Sequence, residues 1–178
     1  MRAIIHQFDA IITSAIASWP AWLAPFFIAI TTLGSPFVTL PIGFFVALAG
    51  YYEKNTRLIL SGIIVWITLG IGTLIKIVIA RERPATEYAA SITIDPMSFP
   101  SGHSSGATIA YGLLAYLAWQ LLPHPWSYVV SGALALLIVL IGVSRVYLGA
   151  HFPSDVLAGW ALGALALLVI IYLVRPFS

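Results

Sequence analysis

Between Trp19 and Tyr52 the chain carries no charged residue, and Gly34-Ser35-Pro36 is its only strong interruption. A bilayer accepts such a stretch as helix, because a helix satisfies every backbone N–H and C=O within itself. Two shortish spans follow from the break, at about 20–34 and 36–52. The rest of the chain has the same character, with 8% charged and 61% hydrophobic residues in 178. Soluble domains are roughly 25% charged, so a water-soluble monomer is excluded. At about 20 residues per crossing, this length holds roughly six spans and no separate soluble domain.

The further spans are expected at about 58–80, 101–122, 126–143 and 154–174, separated by Glu53-Lys54-Asn55-Thr56-Arg57, the polar stretch 81–100, Pro123-His124-Pro125 and the short connection 144–153. Residues 3–18 place Ile4, Ile5, Phe8, Ile11, Ile12, Ala15 and Ile16 at helical spacing, which reads as an amphipathic helix in the interface or as the ragged start of the first span. Arg2 followed by Asp9 fits a retained segment better than a cleaved signal peptide. The expected fold is an all-α integral membrane protein, a six-transmembrane-helix bundle with a short amphipathic N-terminal helix. Six crossings would put both termini, the 53–57 loop and the 123–125 turn on one side, with 81–100 and 144–153 on the other. Eight Lys+Arg against six Asp+Glu lend no support to nucleic-acid binding, and the absence of cysteine removes disulfides and thiolate metal sites.

The few charges fall in three blocks. Lys76 near the end of an apolar span and Arg83 seven residues on, about two helical turns, can share a face. Ionisable groups at span ends usually have a partner or a task, although Lys76 snorkelling to the interface and Arg83 flanking it would look the same. Pro100-Ser101-Gly102-His103 begins a span, where unpaired N–H groups and the helix dipole attract anions; Ser and Gly also cap structural helices. His103 stands where it can donate a proton to a bound phosphate oxygen. In Ser144-Arg145 to His151 and Asp155, the carboxylate four residues from the imidazole can orient one ring nitrogen and free the other for attack. A structural His–Asp cap is the competing reading. Three cations, a helix N-terminus, a buttressed His and a free His on one side of a membrane together make a phosphoryl-transfer site. His6 and His124, with Arg81, Glu82, Glu87 and Asp95, read as ordinary interface, loop or salt-bridge groups.

These blocks resemble the signature of the type-2 phosphatidic acid phosphatase superfamily, in order and without departure: Lys76 with Arg83-Pro84, Pro100-Ser101-Gly102-His103, and Ser144-Arg145 with His151 and Asp155. The resemblance implies a single membrane-embedded phosphatase domain over residues 1–178, with metal-independent hydrolysis and no cofactor. It makes His151 the nucleophile that becomes a phosphohistidine, Asp155 its orienting group, and His103 the proton donor to the leaving oxygen. Lys76, Arg83 and Arg145, with Ser101 and Gly102, would bind the phosphate. The implied partners are the bilayer and a lipid phosphate; undecaprenyl diphosphate, phosphatidylglycerol phosphate and phosphatidic acid stand level on the sequence, and oligomeric state is left open. A catalytically inactive lipid-phosphate-binding or transport protein of the same fold is the alternative. Setting the catalytic cations aside, positive charge favours the side of the termini, so the site is expected to face out of the cytoplasm across the plasma membrane.

Overall fold

Long apolar stretches broken by Gly-Ser-Pro, Pro-His-Pro and charged clusters fold as helices. The computed structural model describes residues 2–91 and 96–174; Asp95 and Arg175 lie outside them. In chain order the helices are α1 (Arg2–Ala17), a 3₁₀ turn (Ala21–Leu23), α2 (Ala24–Leu33), α3 (Pro36–Tyr52), α4 (Thr56–Ile79), the short α5 (Glu87–Ser91), α6 (Gly102–Leu121), α7 (Trp126–Tyr147) and α8 (Pro153–Val174). Among the described residues there is no strand beyond an isolated bridge between Glu82 and Met97.

Four stretches are long and apolar enough to cross a membrane: Ala21–Tyr52, Thr56–Ile79, Trp126–Tyr147 and Pro153–Leu173. Helix α6 is nearly as long, at 20 residues, but carries Ser, Thr and Gly where the others carry Leu and Ile. Its position explains this. All of Ser104–Leu113 is buried by neighbouring helices, so α6 needs small residues for close packing more than apolar ones for lipid. The hydroxyls of Ser105 and Thr108 donate to carbonyls of their own helix, which removes the cost of burying them. Against that face α8 presents Gly159 and Gly163, where an added Cβ would come within 2.6 Å of the Ser101 carbonyl oxygen and 2.5 Å of Thr108 Cβ.

The expectation of six spans does not survive in this form. Helix α2 runs antiparallel to α7: Phe27 meets Tyr147 at 4.5 Å between ring centroids, Thr31 bonds Arg145, and Gly34 packs on Ile141. Helix α3 runs parallel to α6, with Thr39 beside Gly106 and Glu53 level with Gln120. Since α6 and α7 are antiparallel across the turn at 122–125, α2 and α3 point the same way and form one broken run. The physical reason is length: α2 has 10 residues, about 15 Å of helix, half of a roughly 30 Å hydrocarbon core. Five runs therefore connect the two ends of the bundle among the described residues: α2–α3, α4, α6, α7 and α8.

Helix α1 lies across one of those ends. Asp9 meets Ser154 at the start of α8, Trp19 reaches Tyr147 at the end of α7, and Phe8, Ile12 and Ile16 face the groove between α7 and α8. The N-terminal helix thus sits with the 81–100 and 144–153 connections and not with the 53–57 loop, contrary to the expected layout. Exposed aromatic residues mark both ends, Trp19 and Trp22 at this one and Tyr51, Tyr52, Trp126 and Tyr128 at the other, as interfacial belts do.

Candidate active site

The connection after α4 is short of space and rich in bonds. Ala80 takes a left-handed conformation and ends the helix. The chain then doubles back, with Ser98 N donating to the Arg81 carbonyl at 2.7 Å and Ser98 Oγ to the Glu82 carbonyl at 3.0 Å. This fold brings Met97 over the end of α4, where its carbonyl accepts from Lys76 Nζ at 2.9 Å. Arg83 is carried across to the loop between α7 and α8, donating to the Ala150 carbonyl at 2.9 Å and lying 3.1 Å from His151 Nε2.

That loop wraps the C-terminus of α7. The N–H groups of Ala150 and His151 both donate to the Arg145 carbonyl, at 2.9 and 3.1 Å. Gly149 makes the turn with φ +68°, and a Cβ there would stand 2.6 Å from Thr86, so the left-handed turn demands glycine. His151 is thereby set beside Arg145, whose guanidinium is buried and donates to Thr31 Oγ1 at 2.6 Å. Arg145 Nε has no hydrogen-bond partner among the described residues.

Lys76, Arg83, Gly102, His103, Arg145 and His151 all line one cavity of about 420 Å³. Six side-chain or backbone positions from α4, α6, α7 and two loops thus converge. A side chain built at Gly102 would meet nothing within 4 Å, so an anion can approach the N-terminus of α6. Two of the residues singled out in the sequence do not line the cavity. Ser101 is fully buried as the N-cap of α6, its Oγ accepting from Ser104 N. Asp155 is fully buried behind His151.

The ring nitrogens of His151 are distinguishable. A guanidinium can only donate, so Nε2 beside Arg83 is the acceptor and the proton sits on Nδ1. Nδ1 faces Asp155 Oδ2 at 3.6 Å, outside hydrogen-bond range, because the carboxylate is held by others: Oδ2 accepts from Phe152 N at 2.9 Å and Oδ1 from Arg81 Nη1 at 2.7 Å. Burial, reinforced by Arg145 and Arg83 and opposed by Asp155, brings the His151 pKa down to about 4. At neutral pH the imidazole is uncharged, with a lone pair at the cavity wall.

The outer wall of the cavity is apolar. Pro36 and Phe37 of α3 and Leu69, Gly72 and Thr73 of α4 line it, and Phe37 is 88% exposed on the outside of the bundle. Towards the far end these helices close on each other, Gly43 against Gly62 and Gly50 against Ile59, leaving the site end open sideways. A larger cavity of about 640 Å³ at the far end, between α3, α4 and α6, contains none of the candidate residues. Among the described residues no three His, Cys, Asp or Glu side chains gather as a metal centre would require.

The PAP2 superfamily profile matches residues 55–177. This chain belongs to the PAP2 superfamily. The matched region includes all six cavity-lining residues named above, and as a member with several apolar helices the protein is an integral membrane protein of a lipid phosphatase family. It is similar to phosphatidylglycerophosphatase B of Bacillus subtilis, 32% identical over 184 residues, covering 99% of this chain and 86% of the relative. Similarity extends to an undecaprenyl-diphosphatase of Sulfolobus acidocaldarius, 29% identical over 136 residues, 74% of this chain and 61% of that one. In structure it resembles the crystal structure of a transmembrane PAP2-type phosphatidylglycerolphosphate phosphatase from Bacillus subtilis, with a TM-score of 0.83, 29% identity, and coverage of 100% of this chain and 90% of that one.

Motif reading passed over several neighbours of this candidate site. Thr31, Ser35, Asp9 and Arg81 belong to no signature block, yet Thr31 holds Arg145, Ser35 lines the cavity and Arg81 grips Asp155. The available signal was Asp9 itself, a carboxylate among the apolar positions of α1 and only 3% exposed. Arg81, read as a salt-bridge or loop group, is indeed an ion-pair residue, with Asp9 and Asp155 as its partners.

Proposed function

We propose that the protein hydrolyses the terminal phosphate of a membrane lipid phosphate through a phosphohistidine at His151. The observation that carries this reading is the one cavity, walled by Lys76, Arg83, Arg145, His103 and His151 on one side and by apolar residues of α3 and α4 on the other. A lipid tail can stay among the helices' outer faces while its phosphate lies between the cations. Charge in the loose transition state spreads over three equatorial oxygens. Three cations and the N-terminus of α6 supply stabilisation for it without a metal ion. Arg83 moves from Nε2 to a phosphate oxygen; Nε2 of His151 then attacks phosphorus as the bond to the lipid oxygen breaks. His103 gives that oxygen its proton. In the second step His103 takes a proton from water, the water attacks phosphorus, the P–N bond breaks and inorganic phosphate leaves. Asp155 keeps the proton on Nδ1, and Ser101 holds the N-terminus of α6 in place.

Among lipid phosphates, phosphatidylglycerol phosphate comes first, supported by the likeness to phosphatidylglycerophosphatase B along nearly the whole chain. Undecaprenyl diphosphate and phosphatidic acid follow. Phosphate release from these three lipids in detergent, with and without a chelator, tests the reading. Turnover is expected to be fastest on phosphatidylglycerol phosphate and unchanged by chelator. Binding without release on all three would instead support an inactive lipid-binding protein.

For the membrane we propose that the five runs cross it, with α1 in the interface on the side of the site. Beyond the three phosphate-binding cations and Arg81, which is paired with two carboxylates, Arg2 of α1 stands at the site end and Lys54 and Arg57 at the other. This excess favours a site that faces out of the cytoplasm. Because the chain has no cysteine, single cysteines at Ala85 and Asn55 can be labelled with a membrane-impermeant maleimide on intact cells. Ala85→Cys is expected to react and Asn55→Cys to be protected; the reverse pattern would turn the protein over.

A further inference from the structure

The signature does not include Asp9, and α1 lies outside the matched region, yet the Asp9 carboxylate accepts three hydrogen bonds at the site end, outside the cavity. Oδ1 accepts from Ser154 N at 2.8 Å; Oδ2 accepts from Ser154 Oγ at 2.8 Å and from Arg81 Nη2 at 2.7 Å. Ser154 stands in the first turn of α8, so Asp9 caps from another helix the very helix that carries Asp155. Arg81 completes the arrangement. Its second nitrogen, Nη1, reaches Ser154 Oγ and Asp155 Oδ1, both at 2.7 Å, and its guanidinium lies over the Phe152 ring at 4.2 Å. One fork thus holds two carboxylates, 3% and 0% exposed.

We propose that Asp9 and Arg81 are positioning residues for His151, acting through Asp155, so that the interfacial helix α1 is a working part of the catalytic centre. The reason is charge balance. Two buried carboxylates share one guanidinium, leaving the cluster one negative charge, and the imidazole Nδ1 faces that cluster at 3.6 Å. With Asp9 neutral, Arg81 would match Asp155 completely and the pull on the Nδ1 proton would weaken. With Arg81 absent, Asp155 would lose the bond that fixes its direction. Among the described residues Lys76, Arg83, Arg145 and His103 share the cavity with His151, whereas the cluster meets the imidazole on its Nδ1 side.

This inference rests on the phosphohistidine reading and can fail separately from it. The assay is phosphate release from phosphatidylglycerol phosphate in detergent by the full chain. Asp9→Asn keeps one acceptor, for Ser154 N, while it removes the charge and sets an NH₂ against the Arg81 fork. It is expected to lower kcat about tenfold with KM little changed, and to cost nothing further in an Asp155→Asn background, since groups that act through one another are not additive. Arg81→Lys, which keeps the charge and loses the fork, is expected to lower kcat by a similar factor. Parent-like kcat in either variant, or an Asp9→Asn loss that multiplies fully onto Asp155→Asn, overturns the proposal. Should a variant unfold early in a thermal melt, or the parent release no phosphate, ¹⁵N shifts of the His151 ring in the parent and in the folded variant decide. A changed Nδ1–H signature supports the coupling, and an identical one refutes it.

Discussion

Replacing His151 by alanine is expected to abolish turnover, a loss on the order of 10⁶-fold where nucleophile and base act as a unit. The imidazole is buried, neutral at pH 7 with its pKa held near 4 by burial and by Arg145 and Arg83, and its Nε2 is the cavity-facing atom that carries a lone pair. No neighbouring group can replace it: His103 enters from α6, and the three cations are donors only. In the parent, brief exposure to lipid with a labelled terminal phosphate should leave an acid-labile, base-stable label on the protein, and the His151→Ala variant should leave none. A labelled variant, or one that hydrolyses at the parent rate, would move the nucleophile elsewhere. The sign of the pH effect follows. Above a pKa of about 4 the imidazole is free to attack, so activity rises with pH through that region. Stability moves the same way. The unfolded chain binds the proton with the ordinary value of 6.5 and the folded one only near 4, so stability falls on acidification between those values.

Asp155→Asn should be the second most severe change, slowing kcat by roughly 10³ to 10⁴, as when a triad loses its orienting carboxylate. The geometry explains why an isosteric amide fails. Oδ1 accepts from Arg81 and Oδ2 from Phe152 N, with His151 Nδ1 beyond it. If the amide oxygen turns to Phe152, the NH₂ meets the Arg81 guanidinium, donor against donor. If the oxygen turns to Arg81, the NH₂ faces Phe152 N and Nδ1; it then donates to Nδ1 and drives the ring proton to Nε2, where the attacking lone pair should be. Because Asp155 lies behind the cavity wall, KM should change little. A loss confined to KM would show that the carboxylate acts on binding and not on the imidazole.

The site was more legible than the path of the chain. Lys76, Arg83, His103, Arg145 and His151 could be read because each block is local: a few residues on one helix end, with spacing that sets which side chains share a face. Their convergence on one cavity needed only that helix ends meet at one side of a membrane. Gly34-Ser35-Pro36 was read correctly as a break, since Pro36 opens α3, but a break alone does not say whether the chain reverses. Only the packing of Phe27, Thr31 and Gly34 down the side of α7 makes α2 and α3 one run. The apparent sixth span vanished for that reason, and with it the placement of α1 beside the 53–57 loop.

Composition and spacing alone determined that this chain is helical and that it belongs in a bilayer, and they singled out Lys76, Arg83, Gly102, His103, Arg145 and His151, which line one cavity. Those properties depend on side-chain periodicity and on the cost of burying charge, and both are present in any short window of sequence. Tertiary structure decided the number of runs, the side on which α1 lies, and the pairing of Arg81 with Asp9 and Asp155 across 72 and 74 positions. A guanidinium's choice between carboxylates depends on distances of a few ångströms in a buried, low-dielectric place, and nothing in the local order of residues contains those distances.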